Sequence, residues 1–400
     1  MPNIVHSAPG VSLNRRAFLT GAVATMATPA LGAAAALDIT ADNGRLDAFL
    51  KEQLRNGAFP GMAVGIARAG KVVLTRGYGF ANVAQRRPVT TDTMFHLASV
   101  TKTVTATAIM MLVEAGRIEL DAPVNRYLDF EVLNPAHPHA AITARHLLMH
   151  VSGISDETYY KVDFRTVGKD SSLPLWTFLK DYLLPDGRHY SVTGSFSPAA
   201  PGANYDYCNV GYALLGYLVE RVADEDLRIF TQARMFDPLG MRQVSWTIAG
   251  VPKALMATPY DIVDDRIVPT EPVGFPDFPV GMLRASIAGF MPFVAAAANR
   301  GAAGPAQILT ATDQAEMLTM HVPQGLPDWV TGQGLGWMES SALGKRRINH
   351  WGGDPGVFTA VYLDPTSTTG VAIFTNGSAT PASKTAIKAI AERLLTGPSA

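Results

Sequence analysis

The sequence holds a single cysteine, Cys208, in 400 residues, which excludes an intrachain disulfide and the paired-cysteine zinc motifs. An excess of charge of one sign is also missing. Lys and Arg number 33 against 34 Asp and Glu, so no basic field draws nucleic acid. Charged residues are only 17% of the chain and hydrophobic ones 48%, enough for a large core and too apolar for a disordered or fibrous chain. No Gly-x-Ser-x-Gly occurs, which removes the nucleophile elbow of α/β-hydrolases, and no phosphate-cradling glycine motif occurs either. His146 and His150 have the i, i+4 spacing of zinc ligands, but no Glu follows the first and no third ligand is evident. Asp264, Asp265 and Glu271 lack the spacing of a calcium loop. No metal and no cofactor is expected. What remains is a globular protein acting on small molecules, of two to three folding units at roughly 150 residues each.

The first thirty-six residues read as an address. Asn14-Arg15-Arg16-Ala17-Phe18-Leu19-Thr20 opens a stretch without charge over 17–37, rich in Ala, Gly and Thr and ending in small residues at 32–36. A basic pair, a weakly apolar segment and a small-residue cleavage region resemble a twin-arginine export signal. A membrane anchor would need about 20 strongly apolar residues, so no stable membrane insertion is expected once 1–36 is removed. The expected location is periplasmic or secreted.

In the rest of the chain, Leu46, Phe49, Leu50 and Leu54 give 42–56 the spacing of a helix with one buried face. Segment 62–67 reads as a strand, 69–71 as a turn and 72–78 as the returning strand. A helix from about Ser99 to Gly116 meets no charge between Lys102 and Glu114, the mark of a helix inside the core. Helical stretches follow at 143–149, 209–222 and 224–235. Segment 155–200 is aromatic, polar and loop-like, an insertion able to wall a pocket, and 252–285 is read the same way. Strands return at 334–339, 357–363 and 370–375, before a last helix over 381–395. Strands at both ends predict an α/β domain built from 37–115 and 330–400, with a helical domain over 116–329 inserted.

Ser99-Val100-Thr101-Lys102 puts a hydroxyl and an amine three residues apart at a helix start, on one face. A serine hydroxyl is a poor nucleophile until a base takes its proton, and lysine serves only when neutral. A helix N-terminus and burial both lower the lysine pKa. The bland alternative is an N-capping serine followed by an exposed lysine. Tyr207-Cys208-Asn209 offers a tyrosine that ionises more easily near a lysine and an amide for a substrate carbonyl and for the lysine; taken by itself, a plain Tyr/Asn helix cap is the better explanation. Cys208 reads as a small packing residue. His350-Trp351-Gly352-Gly353 lies before the 357–363 strand, and the Gly353 and Ser99 N–H groups together make an oxyanion hole. A glycine turn is the alternative there.

These three boxes, in this order, resemble the serine β-lactamase and penicillin-binding-protein superfamily, in the branch of class C β-lactamases and their esterase relatives. Phe95-His96-Leu97-Ala98-Ser99-Val100-Thr101-Lys102-Thr103 is similar to its nucleophile box, Leu147-Leu148-Met149-His150-Val151-Ser152-Gly153 to its landmark after the nucleophile helix, and 201–216 to its Tyr-x-Asn box. The resemblance spans roughly 45–395. It implies an α/β plus all-α fold, with an antiparallel sheet flanked by N- and C-terminal helices and an inserted helical domain. It makes Ser99 the acylated nucleophile, Lys102 its proton acceptor and Tyr207 the acid and base of acylation and deacylation. Asn209 then positions substrate and Lys102, and Ser99 with Gly353 holds the oxyanion. The third box departs from the Lys-Thr-Gly of β-lactamases. His350 is a weak carboxylate anchor, and Trp351, in a Trp-Gly-Gly similar to family VIII carboxylesterases, adds apolar area suited to an ester. The implied function is ester hydrolysis. Its rivals are a β-lactamase, DD-peptidase or D-aminopeptidase acting on amides and, from another class, an inactive binder of cell-wall peptides.

Overall fold

A computed structural model describes residues 43–397 of the protein, except 265 and 343. The 1–36 segment read as an export signal lies outside the described residues. Helix α1 (Asn43–Asn56) buries Leu46 and Leu50 on one face. Strand β1 (Gly61–Arg68) turns through Ala69 and Gly70, at φ 47° and 72°, into β2 (Lys71–Asn82). Two successive positive φ angles suit the twist of a tight hairpin. A two-residue strand β3 (Arg87–Pro88) follows on β2. The chain returns to this sheet only near its C-terminus, with β4 (Val330–Gln333), β5 (Met338–Ala342), β6 (Lys345–Asp354), β7 (Val357–Asp364) and β8 (Thr369–Thr375). The order is β4-β5-β6-β7-β8-β1-β2-β3, antiparallel throughout. The β8–β1 pairing, Met62 opposite Thr375, joins the two ends of the chain.

Strand alternation sorts the sheet's side chains into two layers. Val64, Ile66, Tyr362, Val371 and Ile373 pack against α1 and the last helix, Pro381–Thr396, through Leu50, Ile387 and Ile390. Ala63, Val361, Ala372 and Phe374 face the larger core beneath the intervening chain. That core is centred on α2 (Thr101–Glu114), whose residues from Thr101 to Met110 are all buried. It packs on α3 (Asn209–Ala223).

Four local readings change. Of the 334–339 strand only Met338 and Glu339, the start of β5, are strand; 334–337 is the bend that follows β4. Gly336, at φ 80°, carries the turn where a Cβ would lie 2.4 Å from Ala106 on α2, so the approach of that helix breaks the strand. The loop-like 155–200 segment contains the helix Leu175–Leu183, which buries Leu175, Phe178, Leu179 and Tyr182 at helical spacing. The 224–235 helix starts late, at Leu227, because Asp224 is left-handed and Asp226 caps the new start; its second half, Gln232–Phe236, widens to a π turn. His350 to Gly353, placed before the 357–363 strand, lie inside a strand of their own, β6.

Ile390 is fully buried between sheet and C-terminal helix. Ile390→Ala is expected to cost about 2–5 kcal/mol, read as a lower urea midpoint at unchanged m-value.

Candidate active site

The short strand Met94–His96 pairs with Arg284–Ser286 and delivers the chain to the end of β6 and β7. Leu97 N–H donates to Leu283 O (2.9 Å), and its carbonyl accepts from Thr359 Oγ1 on β7 (2.7 Å). Ala98 then adopts φ 46°, a left-handed conformation costly for a residue with a Cβ. That kink turns the backbone into the 3₁₀ turn Ala98–Val100 and leads directly to α2, leaving Ser99 half-buried at the helix entrance. Gly352 is what lets β6 come so close. A Cβ there would lie 2.2 Å from Leu97 O and 3.0 Å from Ser99 N.

One turn along, Lys102 is wholly buried. Its Nζ lies 3.1 Å from Ser99 Oγ and donates to Asn209 Oδ1 (2.8 Å) and Val280 O (3.2 Å). Burial pulls its pKa down to about 7, against the opposing pull of Asp156, Asp277 and Cys208. An ammonium has three hydrogens for these three acceptors; the neutral amine has two, for Asn209 and Val280, leaving its lone pair for the Ser99 hydroxyl.

Tyr207 lines the same cavity as Ser99, and its ring lies 4.9 Å from Lys102 Nζ and stacks on His150 (4.4 Å between centroids). The expectation that Tyr207 ionises more easily is reversed. Burial raises its pKa more than the neighbouring Ser99 side chain lowers it, so the phenol stays protonated. Asn209 spends its oxygen on Lys102 and donates from Nδ2 to Tyr160 OH (3.0 Å).

The Tyr207–Asn209 box is held by two groups from elsewhere in the chain. His150 Nδ1 accepts from Cys208 N–H (3.0 Å), which disposes of that histidine as a metal ligand. Asp156, 4% exposed, accepts from Asn209 N–H (2.6 Å), Val210 N–H (3.1 Å) and the Cys208 thiol (3.2 Å). A carboxylate on the first N–H groups of α3 satisfies donors the helix cannot satisfy itself.

Ser99, Tyr207, Asn209 and Gly353 open on a cavity of about 520 Å³. Its walls come from 159–165, including Tyr159, Tyr160 and Phe164, and from 275–281, including Phe275 and Asp277. Asp277, 1% exposed, accepts from Tyr159 OH (2.9 Å), and burial raises its pKa to about 6. At the far end stand His96 and Asp354, 3.9 Å apart, with Asp354 pushed by burial up to about 7.

His350 and Trp351, expected at the substrate, lie away from this cavity. His350 is buried, its Nδ1 2.9 Å from Trp351 O, and burial takes its pKa to about 3, so it carries no charge for a carboxylate. Trp351 is on the other face of β6. It donates from Nε1 to Tyr362 OH (2.8 Å), stacks on Trp329 (5.6 Å) and lies under Lys388. The reason is the period of two: if Gly352 meets the nucleophile turn, Trp351 must face away. Among the described residues, no cluster of three or more His, Cys, Asp or Glu is placed to hold a metal ion, and no helix is long and apolar enough to cross a membrane.

Asp156, Tyr159, Tyr160, Asp277 and Asp354 were not singled out from sequence. Asp277 had a signal, as the sole charge between Glu271 and Arg284 in an otherwise apolar run. The others sit in segments without periodicity.

The Beta-lactamase family model matches residues 46–395. Esterase EstB of Burkholderia gladioli is 33% identical over 219 residues, 53% of this chain and 54% of that protein. The chain thus matches about half the length of this curated relative. Among solved structures, the octameric penicillin-binding protein homologue from Pyrococcus abyssi superposes with a TM-score of 0.70 at 26% identity, over 90% of this chain and 78% of that one. EstCE1, a hydrolase with promiscuous acyltransferase activity, gives a TM-score of 0.70 at 22% identity, over 88% and 98% of the two chains, a likeness of fold.

Asp156→Ala strands buried donors at the head of α3. The expected result is a loss of about 1–3 kcal/mol in stability, with hydrolytic activity reduced further than the unfolded fraction explains. Urea unfolding and activity at matched folded fraction check it.

Proposed function

Because the chain belongs to the Beta-lactamase family, we propose that it is a serine hydrolase, exported by its Arg15-Arg16 segment, that cleaves carboxylic esters through an acyl-enzyme on Ser99. The observation that carries the reading is the buried Lys102 amine, 3.1 Å from Ser99 Oγ and brought to a pKa of about 7. Neutral Lys102 takes the Ser99 proton as Oγ adds to the ester carbonyl. The oxyanion rests on the Ser99 and Gly353 N–H groups. On collapse the bond to the alcohol oxygen breaks. The Tyr207 phenol protonates that oxygen and regains its proton from Lys102. Water then enters, gives a proton back through the same pair and releases the acid, restoring the Ser99 hydroxyl.

The ester preference is supported by the named activity of the EstB relative and by the third box, where a buried neutral His350 offers no cation to a β-lactam carboxylate. One observation favours a second reading, hydrolysis of amino-acid amides. Asp277 and Asp354 line the cavity, and as carboxylates either would pair with a substrate ammonium.

With p-nitrophenyl butyrate as substrate, Ser99→Ala is expected to lower kcat by roughly three orders of magnitude or more, and nitrocefin to be turned over poorly by the wild type. Persistent activity in the variant would remove Ser99 as nucleophile; dominant nitrocefin turnover would replace the ester reading. The kcat/KM profile should rise through about pH 7, because the base works only once Lys102 has lost its proton. A profile flat from pH 5 to 9 contradicts Lys102 as the base. For export, the paired Arg15→Lys and Arg16→Lys variant should leave the protein in the cytoplasmic fraction, where the parent chain is found outside it.

A further inference from the structure

A second cavity, of about 390 Å³, adjoins the first and shares His96, Arg165 and Asp354 with it. The two form one cleft with a polar waist. We propose that this second cavity is the acyl-group subsite, and that it takes an uncharged aliphatic or aryl acyl chain longer than butanoyl; the proposal rests on the ester reading above.

Proton transfer orients the substrate. The leaving oxygen must come within reach of the group that protonates it, so the alcohol portion occupies the end of the cleft lined by Tyr207 and Asn209. Neither residue lines the second cavity. The acyl carbon, bonded to Ser99, therefore projects its chain the other way, past Gly353 towards the His96–Asp354 waist and into the space beyond.

The walls decide the chemistry. Met94, Met256, Ala257, Pro272, Val273 and Val357 supply apolar surface. Met94, Ala257 and Val357 are buried and fixed, whereas Met256 is half-buried and adaptable. Three of the charged heads around them are already engaged by protein. Arg284 donates to Met282 O and Val273 O, both at 2.9 Å. Arg165 pairs with Asp163 at 2.7 Å, and Asp261 accepts from Ile262 N–H (2.8 Å) and from Ser378 Oγ. His96, its Nε2 2.7 Å from Gly281 O, is uncharged, burial having taken its pKa to about 3. Charges of both signs therefore ring an apolar space. A carboxylate-ended chain would meet Asp354, Asp261 and Glu271, and an ammonium-ended one Arg284 and Arg165. An uncharged chain meets neither penalty and gains the burial.

The test compares kcat/KM for p-nitrophenyl octanoate and p-nitrophenyl acetate in the full chain and in Val273→Phe, which fills the cavity. The octanoate-to-acetate ratio is expected to fall by about tenfold or more. Met256→Ala, a truncation at a half-exposed position, should lower the same ratio by about threefold and keeps the test alive if Val273→Phe folds poorly. A parallel series varies the alcohol, methyl against hexyl butanoate. A ratio that moves there and not in the acyl series puts the leaving group in the cavity and overturns the proposal. So does an acyl ratio unmoved in both variants while wild-type acetate turnover depends on Ser99; that result leaves the ester reading standing. Absence of Ser99-dependent acetate turnover overturns both.

Discussion

A nitrogen held out of water is the constraint around which this protein is built. Lys102 has no exposed surface, and a buried ammonium is costly unless its hydrogens find acceptors. The acceptors come from three places in the chain: Ser99 one turn back, Asn209 at the head of α3, and the carbonyl of Val280. The last belongs to the turn Phe278–Gly281, where three consecutive carbonyls each hold a side chain from the nucleophile region. Pro279 O accepts from Thr105 (2.7 Å), Val280 O from Lys102, and Gly281 O faces His96 Nε2. The turn is thus locked to α2 on one side and to the approach strand on the other. Asp277 and the cavity wall are carried with it.

The sheet serves the same end by a different route. Pairing β8 with β1 fixes the C-terminal strands beside the N-terminal hairpin, and β7 then anchors Leu97 through Thr359. With Gly352 underneath, the Ser99 turn rests almost on the backbone of β6. The left-handed Ala98 is tolerated because Leu97, just before it, is held at both its N–H and its carbonyl. Backbone strain at one residue is offset by hydrogen bonds at its neighbour.

Periodicity made much of this legible. The apolar spacing of α1, the 69–71 turn, the uncharged run of α2 and the terminal helix mark the scaffold, because each reports a face buried by its immediate neighbours. Ser99, Lys102, Tyr207 and Asn209 were grouped by the family resemblance that their three boxes carry, and they do come together around Lys102. Asp156 did not show, because its role is to meet a helix end more than 50 residues away. Tyr160 contributes through Asn209 at similar separation. Trp351 shows a different failure. Its motif was visible, but the segment was placed before the 357–363 strand and not in a strand of its own, so the alternation that turns the indole away from Ser99 was not applied.

Burial also divides the labour between the two ionisable groups nearest Ser99. Removing water disfavours whichever form is charged. For Lys102 that is the protonated form, so its pKa falls to about 7 and a neutral amine is populated at neutral pH. For Tyr207 it is the deprotonated form, so its pKa rises and the phenol persists. One dry environment therefore prepares a base and an acid side by side without a separate device for each. The order of proton movements follows from this. In the proposed reaction the amine acts first, since it alone is a base near neutral pH, and the phenol acts next, giving its proton to the leaving oxygen while taking one from the ammonium, so that no buried phenolate has to persist. In a wetter site both groups would return towards their ordinary values, the lysine charged and useless as a base. The aromatic walls of Tyr159, Tyr160 and Phe164 thus bear on the chemistry as well as on substrate shape.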